Sequence, residues 1–525
     1  MIFTSLEQWE QWAVQYENVP YIHKFPDAQG VPASWEPFWK RCSKPSFVLE
    51  SGKSGRYTYF GADAVAAVSG KGNEAVITDY ADDTGVRLPE GRRRTVTGNP
   101  LHIVKQSLRP YRAPAVEGVP PFAGGCVGFW SYDIARSIER LPEQAEDDLK
   151  LPDYDFMMMR RIWTYDLQEK ALYCSVHTYV PYDGRDSDWT ARLASLYREA
   201  ADEAERMAAM WNEAAMEAAS DEAVMQRIRS FESVTREQAL AIDVESIPGI
   251  EIAFPKPQYM EAVRQIQRYI AQGDVFQVNL SVRQSRQVER EPEQIYEWLR
   301  LLNPSPYMGL LRYPEYDLVS GSPELLVRSA DGVVETRPIA GTRPRSSNES
   351  EDRRLAEELI SDEKERAEHI MLVDLLRNDL GRVSRYGTVK VTDLMVVEMY
   401  SHVMHIVSHV RGILAEGKDA FDVIAATFPG GTITGAPKIR TMEIIEELEP
   451  VRRGPYTGSI GWIDYNGNME LNIVIRTLIM RGGTGYVQSG AGIVIDSDPE
   501  REFVESLNKA KALWKAVLYS ENARS

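Results

Sequence analysis

The sequence predicts a globular protein that contains both helices and strands. Residues 56–60 and 171–177 are rich in aromatic and β-branched residues, a composition typical of strands. Residues 189–228 are instead rich in Ala and Glu and poor in Gly, which predicts a long helix. Helix and strand patterns occur again from residue 251 to the end, so both kinds of element are expected in both halves of the chain.

The change in composition at about residues 186–245 also predicts the domain organisation. We expect this segment to be a helical linker at the end of an N-terminal region, residues 1–250. A second region, residues 251–525, would then hold almost all of the motifs described below. A chain of 525 residues is long enough for about two to four domains.

Hydrophobic periodicity predicts the main elements of the second region. Apolar residues at helical spacing indicate one helix over residues 257–273 and a longer one over about 352–375. Alternating residues indicate a strand over 274–281. A final helix is expected from Pro499, because Pro suits the first helical position and either Ser497 or Asp498 can cap it.

Composition and charge exclude several classes of protein. A hydrophobic content of 43% and a charged content of 26% are ordinary for a soluble globular protein. A net charge of −18 argues against binding to nucleic acid or an anionic membrane, since both require a basic surface. There is no signal-peptide pattern and no apolar run of about 20 residues that could span a membrane. The three cysteines, Cys42, Cys126 and Cys174, are too widely spaced for a zinc site or a disulfide framework, so a cytoplasmic location is expected.

Two glutamate pairs, far apart in the chain, repeat the same spacing. They are Glu365-Arg-Ala-Glu368 and Glu502-Phe-Val-Glu505, and Lys509 follows one turn after the second pair. Residues three apart share a helix face, so each pair would direct two carboxylates the same way. If the two faces meet, four like charges require a cation, and oxygen ligands favour Mg²⁺. Either pair alone is more typical of a solvated helix face, so the neighbouring residues must decide.

Two glycine-rich segments could approach a ligand closely. Gly490-Ala-Gly492 lies between the apolar residues 486–488 and 493–495, where its amides could bind a carboxylate; a β-bulge would explain the glycines equally well. Phe428-Pro-Gly-Gly-Thr-Ile-Thr-Gly-Ala-Pro-Lys438 precedes an apolar helix and could present amides and hydroxyls to an anion. It lacks the residue order of a nucleotide P-loop.

Gly124-Gly-Cys-Val-Gly128 matches the nucleophile turn of glutamine amidotransferases but does not predict that activity. The thiol in such enzymes needs a histidine to activate it, supplied downstream as His-x-Glu. No histidine in this chain is followed two residues later by glutamate. We therefore expect Cys126 to be a buried structural residue, and any use of glutamine nitrogen would require another subunit to release it.

Together these segments resemble the chorismate-utilising enzymes, which include anthranilate, aminodeoxychorismate, isochorismate and salicylate synthases. The resemblance covers nearly the whole chain and is strongest from about residue 257 to 515. It rests on Arg337-Pro-Ile-Ala-Gly-Thr342, Glu365-Arg-Ala-Glu-His-Ile-Met-Leu-Val-Asp374, Ile433-Thr-Gly-Ala-Pro-Lys438 and Gly490-Ala-Gly492. It implies an α+β fold in which large antiparallel sheets pack face to face as a sandwich, with helices outside and the site in a cleft.

The resemblance also implies roles for residues at matching positions. Mg²⁺ would be held against the ring carboxylate of chorismate by Glu365, Glu368, Glu502 and Glu505. The substrate would also be contacted by Lys509, Thr432, Gly490, Ala491 and Gly492. Tyr456 and Arg476 resemble the residues that bind the enolpyruvyl carboxylate, where a guanidinium can bind through two hydrogen bonds.

Three further residues would act in catalysis. Glu324 resembles the general acid that protonates the departing C4 hydroxyl, a role that requires a carboxyl group protonated near neutral pH. His405 resembles the histidine linked to enolpyruvyl elimination in anthranilate synthases. Thr342 would help to order the substrate.

Gln277 narrows the reaction. Members of the family that add water carry a lysine at this position as the general base. A neutral glutamine cannot deprotonate water, so the nucleophile is expected to be ammonia. The isochorismate and salicylate synthase reactions are therefore disfavoured, and a glutamine amidotransferase subunit is the expected ammonia source.

The residues that distinguish the two aminating reactions conflict. Aminodeoxychorismate synthases often carry a nucleophilic lysine in P-I-K-G-T, where this chain has Ala340, and that difference favours anthranilate as the product. Gln277-Val-Asn-Leu280, Phe428–Thr434 and Tyr456-Thr-Gly-Ser-Ile-Gly461 instead resemble the folate-pathway enzymes, and a Gram-positive subset of these also has alanine. Taken together, the motifs resemble this subset most, which favours 4-amino-4-deoxychorismate as the product, with anthranilate as the alternative.

Two further expectations follow from the resemblance. A tryptophan site would be formed by Glu50, Ser51, Pro304, Tyr307 and Met308, although the Pro-rich segment could simply be a rigid turn. A catalytically silent tryptophan- or chorismate-binding regulatory protein on the same fold is the non-enzyme alternative. The presence of Glu324, His405, Arg476 and both glutamate pairs favours the enzyme.

Overall fold

Two large antiparallel sheets with helices packed around them make up the protein. The computed structural model describes residues 1–52, 55–81, 87–180, 188–232, 242–346, 348–399 and 403–522. The α-helices in these ranges are α1 (Leu6–Trp12), α2 (Glu36–Arg41), α3 (Pro100–Leu108), α4 (Ala135–Ile138), α5 (Trp189–Ser220), α6 (Glu222–Glu232), α7 (Lys256–Gln272), α8 (Pro292–Leu302), α9 (Glu349–Ser361), α10 (Glu363–Gly381), α11 (Ala420–Thr427), α12 (Lys438–Leu448), α13 (Pro499–Asn508) and α14 (Lys511–Asn522). None of them is long and apolar enough to cross a membrane.

Along the chain, strands come both before and after the long helix α5. Those before it are β1 (Asn18–Phe25), β2 (Ser46–Glu50), β3 (Tyr57–Gly61), β4 (Ala66–Lys71), β5 (Glu74–Ala81), β6 (Arg87–Thr97), β7 (Gly125–Trp130), β8 (Tyr154–Met158), β9 (Arg161–Asp166) and β10 (Ala171–Tyr179). Those after it are β11 (Glu251–Ile252), β12 (Gln277–Gln287), β13 (Tyr307–Arg312), β14 (Asp317–Ser322), β15 (Leu325–Ala330), β16 (Val333–Thr336), β17 (Ile339–Pro344), β18 (Lys390–Met399), β19 (Val403–Ile413), β20 (Gly435–Ala436), β21 (Ser459–Asp464), β22 (Met469–Asn472), β23 (Thr477–Arg481) and β24 (Thr484–Ile493).

Each sheet combines strands from the two halves of the chain. Among the described residues, the first sheet has the order β1-β10-β9-β3-β2-β13-β14-β23-β24-β12-β11, with β20 paired to β12. The second has the order β17-β19-β16-β15-β22-β21-β7-β8-β4-β5-β6, with β18 paired to β19. N-terminal and C-terminal strands pair directly, as β2 does with β13 and β7 with β21. The division near residue 250 therefore does not separate the two sheets, and it stays a prediction based on the change in composition.

The inner faces of the two sheets pack against each other. One apolar cluster contains buried residues of both sheets, among them Phe47, Leu311 and Leu318 from the first and Val127, Met157 and Trp462 from the second. Phe122 stacks on the Trp462 ring with 5.0 Å between ring centroids. Alternation along each strand directs one set of side chains into this layer. The predicted α+β sandwich is therefore confirmed.

The Ala-rich segment forms two helices, with α6 beginning directly after Asp221. The buried residues of α5 include Leu193, Met207 and Trp211, and the Trp163 indole donates to the Met207 carbonyl over 2.9 Å. The predicted helical character of this segment is confirmed, but the prediction of one helix over 189–228 is wrong, because Asp221 has extended backbone angles and separates α5 from α6. α5 packs against the first sheet. Residues 186–187 and 233–241 of the predicted linker lie outside the described residues.

The single helix predicted over about 352–375 is wrong, because α9 and α10 are separate helices. Asp362 between them has extended backbone angles, and its carboxylate accepts the N–H groups of Lys364 and Glu365 over 3.0 and 3.1 Å. A side chain that caps the next helix in this way ends the preceding one. Periodicity alone did not reveal the break, because apolar spacing continues across it.

The glycine pair also differs from expectation. Gly490 and Gly492 lie inside the continuous strand β24, opposite Ser281 and Asn279 of β12. The pairing keeps one register throughout, so the β-bulge alternative is wrong. A Cβ at Gly490 would lie 2.6 Å from the Leu280 carbonyl oxygen, so close approach of β12 requires glycine there.

The last predicted helix is confirmed. It begins at Pro499, and the Asp498 carboxylate accepts the N–H groups of Glu500 and Arg501 over 3.1 and 2.9 Å. Lys509 is the residue that ends this helix. Glu502 and Glu505 therefore both lie within α13, one turn apart.

Candidate active site

Gln277 lies where several predicted site segments meet. Its side-chain Nε2 donates to Oε1 of Glu368 on α10 over 3.0 Å. The same nitrogen is so close to Gly492 that a Cβ there would lie 2.3 Å away. Gln277 also pairs with Ala436 of the glycine-rich segment. The structure thus brings the first glutamate pair, the glycine pair and the glycine-rich segment together around one amide.

The first glutamate pair is partly buried at the start of α10. Burial, and then the charge of Glu368, raise the pKa of Glu365. The Arg343 guanidinium, 3.6 Å from Oε1 of Glu365, opposes that shift. The two like charges are therefore only partly compensated by the protein itself, which leaves them suited to a cation.

The second pair carries a similar charge imbalance on α13. Burial raises the pKa of Glu502, and the neighbouring Glu505 charge adds to the effect, whereas Ser497, Lys509 and Lys364 oppose it. Glu368 of α10 bonds to Gln277, which touches Gly492, and Lys509 at the end of α13 bonds to Gly490, so both helices adjoin the same part of β24. Lys509 Nζ is 3.1 Å from Oε1 of Glu505 and donates to the Gly490 carbonyl over 2.8 Å.

The four glutamates fit Mg²⁺ in their chemistry. They offer only oxygen donors, which a hard cation prefers, and they come in two pairs on neighbouring helices. Within the described ranges, no three His, Cys, Asp or Glu side chains already stand close enough together to hold a metal ion. Binding of one cation would therefore require the four carboxylates to move closer together; at present Glu368 contacts Gln277 and Glu505 contacts Lys509.

Glu324 has the protonation behaviour of a general acid. It is 9% exposed, between β14 and β15. Burial raises its pKa from 4.5 to about 7, against the opposing effects of the Thr432 hydroxyl and the Arg476 guanidinium. A carboxyl group with this pKa is protonated in a large fraction of molecules at neutral pH, as proton donation to a leaving group requires.

His405 is held as a neutral ring. Its Nδ1 lies 2.9 Å from the Gly341 carbonyl oxygen and 3.1 Å from Oγ1 of Thr342. A carbonyl can only accept, so Nδ1 carries the ring proton and Nε2 is the acceptor. Burial lowers the pKa of His405, and the Arg476 charge lowers it further. Backbone bonds from Gly321 to the Arg476 carbonyl and from Ile473 to the Glu324 carbonyl, both over 3.0 Å, place Arg476 and Glu324 on adjoining segments.

Tyr456 lies on a segment that runs beside that of Arg476. It is buried, and burial raises its pKa. Thr457, the next residue, donates its backbone N–H to the Val474 carbonyl over 2.8 Å. Val474 precedes Arg476 by two residues, so the two predicted enolpyruvyl-binding residues come from adjacent segments.

The predicted glycine-rich segment is a loop followed by α12, as expected. It contains a short 3₁₀ turn at Gly431–Ile433. Lys438 Nζ donates to Oδ2 of Asp379 on α10 over 2.8 Å. At Gly431, a Cβ would lie 1.7 Å from a Leu375 methyl group of the same helix. The loop carrying Thr432 is therefore fixed against the helix that carries the first glutamate pair.

Most of the predicted tryptophan-site residues line a pocket between the sheets. Of the five predicted residues, Glu50, Ser51, Tyr307 and Met308 line it and Pro304 does not. Aromatic and aliphatic walls come from Tyr59, Ile460 and Trp462. The Glu50 carboxylate is already held, by Arg300 Nε at 2.9 Å and by the Tyr296 hydroxyl at 2.6 Å.

Cys126 behaves as a structural residue. It is fully buried in β7, and burial raises the pKa of its thiol. A thiol with a raised pKa supplies little thiolate, so it is a poor nucleophile. The predicted burial is confirmed.

Sequence reasoning missed Arg453 and Glu449, a buried ion pair next to the site. The two atoms Arg453 Nη2 and Glu449 Oε1 are 2.7 Å apart, and the side chains are 1% and 2% exposed. Their spacing of four residues was a visible signal, but it is common on exposed helices. Only the tertiary contacts show that this pair is internal.

Comparison with known proteins identifies the family of this chain. The family model described as chorismate binding enzyme matches residues 45–515. Aminodeoxychorismate synthase component 1 of Bacillus subtilis (strain 168) is 46% identical over 478 residues, 91% of this chain and 93% of that protein. Anthranilate synthase component 1 of Acetivibrio thermocellus is 40% identical over 521 residues, 98% and 99% of the two chains.

Solved structures show the same fold. The crystal structure of anthranilate synthase component I from Streptococcus pneumoniae TIGR4 has a TM-score of 0.65 and 32% identity, covering 88% of this chain and 92% of that one. MenF, the menaquinone-specific isochorismate synthase from Escherichia coli, has a TM-score of 0.59 at 17% identity, with 98% of each chain covered, and supports the fold alone. The family match spans most of the chain, and the chain therefore belongs to the chorismate-binding enzymes.

Proposed function

We propose that this chorismate-utilising enzyme replaces the C4 hydroxyl of chorismate by ammonia, giving 4-amino-4-deoxychorismate and water. The observation that carries the choice of ammonia as nucleophile is the neutral amide of Gln277 between Glu368 and Gly492. A side chain that cannot accept a proton from water leaves ammonia, which needs no activating base, as the nucleophile. Amination at C4 is supported by the 46% identity to the Bacillus subtilis aminodeoxychorismate synthase.

Glu324 would supply the proton on which the leaving hydroxyl departs as water. Its buried carboxyl group, with a pKa of about 7, is protonated often enough for this at neutral pH. Arg476 and Tyr456 would hold the enolpyruvyl carboxylate, and Lys509 with the residues 490–492 would hold the ring carboxylate. Thr342 would orient His405 beside the substrate through their 3.1 Å contact.

Mg²⁺ bound by Glu365, Glu368, Glu502 and Glu505 would neutralise the ring carboxylate and orient it. Without the cation, four glutamates facing an anionic substrate would repel it. Raised pKa values of Glu365 and Glu502 support this, because they show that the carboxylates are already crowded and partly desolvated.

The ammonia would come from a separate glutamine amidotransferase subunit. Cys126 is buried with a raised thiol pKa, so it does not suit glutamine hydrolysis. The relatives are named as component 1 of their synthases, a name that supports a second component.

Anthranilate is the alternative product, formed with pyruvate and water from the same substrates. Ala340, which is 9% exposed on β17 and has no nucleophilic atom, favours this alternative. The 46% identity to the Bacillus subtilis aminodeoxychorismate synthase, against 40% to the Acetivibrio thermocellus anthranilate synthase, favours amination at C4.

Product analysis with chorismate, Mg²⁺ and ammonium tests the proposal. Anthranilate would appear directly as a fluorescent aromatic product together with pyruvate. Aminodeoxychorismate would keep its enolpyruvyl group and yield 4-aminobenzoate and pyruvate only after a separate lyase is added. Isochorismate would refute the argument from Gln277, and no turnover in any assay would support the silent regulatory alternative.

We also propose that the pocket lined by Ser51, Tyr307 and Met308 binds tryptophan. Its aromatic walls and the partly exposed Glu470 carboxylate suit an aromatic amino acid with a charged amine. Tryptophan should raise the melting temperature of the wild-type protein by mass action. The change Ser51→Leu should fill the pocket and abolish that rise without changing chorismate turnover; an unchanged rise would place tryptophan elsewhere.

A further inference from the structure

The guanidinium of Arg453 connects four segments of the protein. It forms a two-bond ion pair with Glu449, from Nε to Oε2 at 3.0 Å and from Nη2 to Oε1 at 2.7 Å. Its other N–H groups donate to the carbonyls of Ile433 over 3.0 Å and Asn279 over 2.6 Å, and to Oγ1 of Thr457 over 3.3 Å. Arg453 is 2% exposed, so no water competes for these donors.

Two of these contacts adjoin predicted substrate-binding residues. Ile433 directly follows Thr432 in the glycine-rich loop, and Thr457 directly follows Tyr456. Arg453 also lies 5.6 Å from the centroid of the Tyr456 ring. Two residues that would contact chorismate from separate segments are thus tied to the same guanidinium.

The remaining contacts act on β12. Asn279 follows Gln277 by two residues, so both side chains face the same side of that strand. Glu449 Oε1 also accepts the backbone N–H and the hydroxyl of Ser281, both over 2.8 Å. The strand that presents Gln277 is therefore held by its backbone at Asn279 and Ser281, along one edge.

We propose that Arg453 and Glu449 are positioning residues that hold the strand of Gln277, the loop of Thr432 and the turn of Tyr456 in one fixed arrangement. This inference rests on the proposed function for its effect on turnover, but the arrangement itself does not depend on it. A buried ion pair is poor at providing stability alone, because desolvation of both charges offsets their attraction. What Arg453 contributes here is geometry. The five N–H groups of its planar guanidinium point in fixed directions, so they can bond to several carbonyls only in one arrangement of the segments.

The change Arg453→Lys tests the proposal. Lysine keeps the charge opposite Glu449 but has three donors on one atom, so it cannot bond to all four segments. The matched control is Arg312→Lys on β13. Arg312 is also buried and donates to Glu293 Oε1 over 2.6 Å and Ser46 Oγ over 3.1 Å. Among the described residues, these bonds reach no segment that carries a residue predicted to contact chorismate or to act in its reaction.

Hydrogen exchange provides the readout that is independent of activity. In Arg453→Lys we expect backbone amides in residues 431–436 and 456–459 to exchange at least tenfold faster, while they are unchanged in Arg312→Lys. Ammonium-dependent kcat/KM for chorismate should fall at least tenfold in Arg453→Lys and less than twofold in Arg312→Lys. If Arg453→Lys does not fold, Glu449→Gln, which keeps the side-chain shape, provides the same comparison.

Unchanged exchange in both segments would overturn the proposal, as would equal losses of kcat/KM in the Arg453 and Arg312 variants. If the wild-type enzyme fails to convert chorismate, the proposed function is wrong, and hydrogen exchange alone then decides whether Arg453 positions these segments. Faster exchange with unchanged kcat/KM would overturn the claim that the arrangement serves the reaction.

Discussion

The side-chain amide of Gln277 donates to the carboxylate of Glu368 over 3.0 Å. The resemblance places a lysine at this position in the members of the family that add water, and such a lysine would form an ion pair with Glu368. Here a neutral donor takes its place. A lysine there would compete with a metal ion for the carboxylate, whereas an amide can be displaced at little cost. The charge at position 277 is thus linked both to the choice of nucleophile and to cation binding.

Replacing Gln277 by glutamate should make folding depend on Mg²⁺. The new carboxylate would lie beside Glu368, and repulsion between the two should lower the free energy of unfolding by about 1–2 kcal/mol at pH 7 without the cation. Thermal unfolding with and without Mg²⁺ measures this. The melting temperature should rise more on adding Mg²⁺ in Gln277→Glu than in the wild type.

The control for this change is Gln287→Glu at the exposed end of the same strand, where the side chain bonds to Thr484 and to no other of the described residues. Its response to Mg²⁺ should equal that of the wild type. An equal response in Gln277→Glu would show that no cation binds next to Glu368.

The pH dependence of turnover should report Glu324. The protonated form is the active one, so activity should fall as pH rises through about 7, the pKa produced by burial. The concentration of free ammonia must be held constant across the series, because ammonium also loses its proton as pH rises. In Glu324→Gln the fall in activity above pH 7 should disappear, and kcat should be at least a hundredfold lower than in the wild type. A variant with wild-type kcat would show that Glu324 is not the acid.

The same substitution should stabilise the protein above neutral pH. Burial raises the Glu324 pKa from 4.5 to about 7, so the folded state loses stability as pH rises between these values. The difference corresponds to about 3 kcal/mol at pH 8. Denaturant unfolding should therefore find Glu324→Gln more stable than the wild type at pH 8 and similar to it below pH 4.5. Equal stability at pH 8 would mean that the carboxylate is not penalised in the folded state.

The metal proposal predicts that Glu505→Gln raises the Mg²⁺ concentration for half-maximal turnover at least tenfold, since one anionic ligand becomes neutral. Titration of ammonium-dependent turnover with Mg²⁺ measures this. Glu500→Gln is the control on the same helix, because Glu500 is exposed and pairs with Lys256 at 2.7 Å. Wild-type turnover that is indifferent to Mg²⁺ would refute the metal site, and identical curves for the two variants would remove Glu505 from it.

Asp362→Ala should lower the melting temperature at pH 7, because the first turn of α10 loses its cap. Hydrogen bonds, foremost from the Glu365 N–H, lower the Asp362 pKa below 3.8. The stability from this carboxylate is therefore present above pH 3.8 and is lost as pH falls through the lower folded pKa. Asp362→Asn should keep most of the stability at pH 7, since asparagine caps as well as aspartate; equal loss in both variants would assign the effect to the Arg343 ion pair instead.

Local patterns determined several elements before any contact was known. Asp498 and Pro499 marked the start of α13, since capping and the fixed backbone angle of proline act within one turn. Apolar spacing placed α7, which ends at Gly273 with left-handed backbone angles. The break at Asp362 was missed because a capping aspartate in a charged stretch looks like any other acidic residue until its backbone partners are known.

The sequence by itself determined the chemistry available to this protein: two glutamate pairs, a neutral Gln277 and glycines at 490 and 492. Helix periodicity acts over a few residues, so it could show that each pair shares a face but not that α10 and α13 are neighbours. Only the tertiary structure decided that Gln277 joins Glu368 to Gly492, because this contact depends on how β12, β24 and α10 pack. The pKa of Glu324 and the buried Arg453–Glu449 pair likewise depend on burial, a property of the assembled fold.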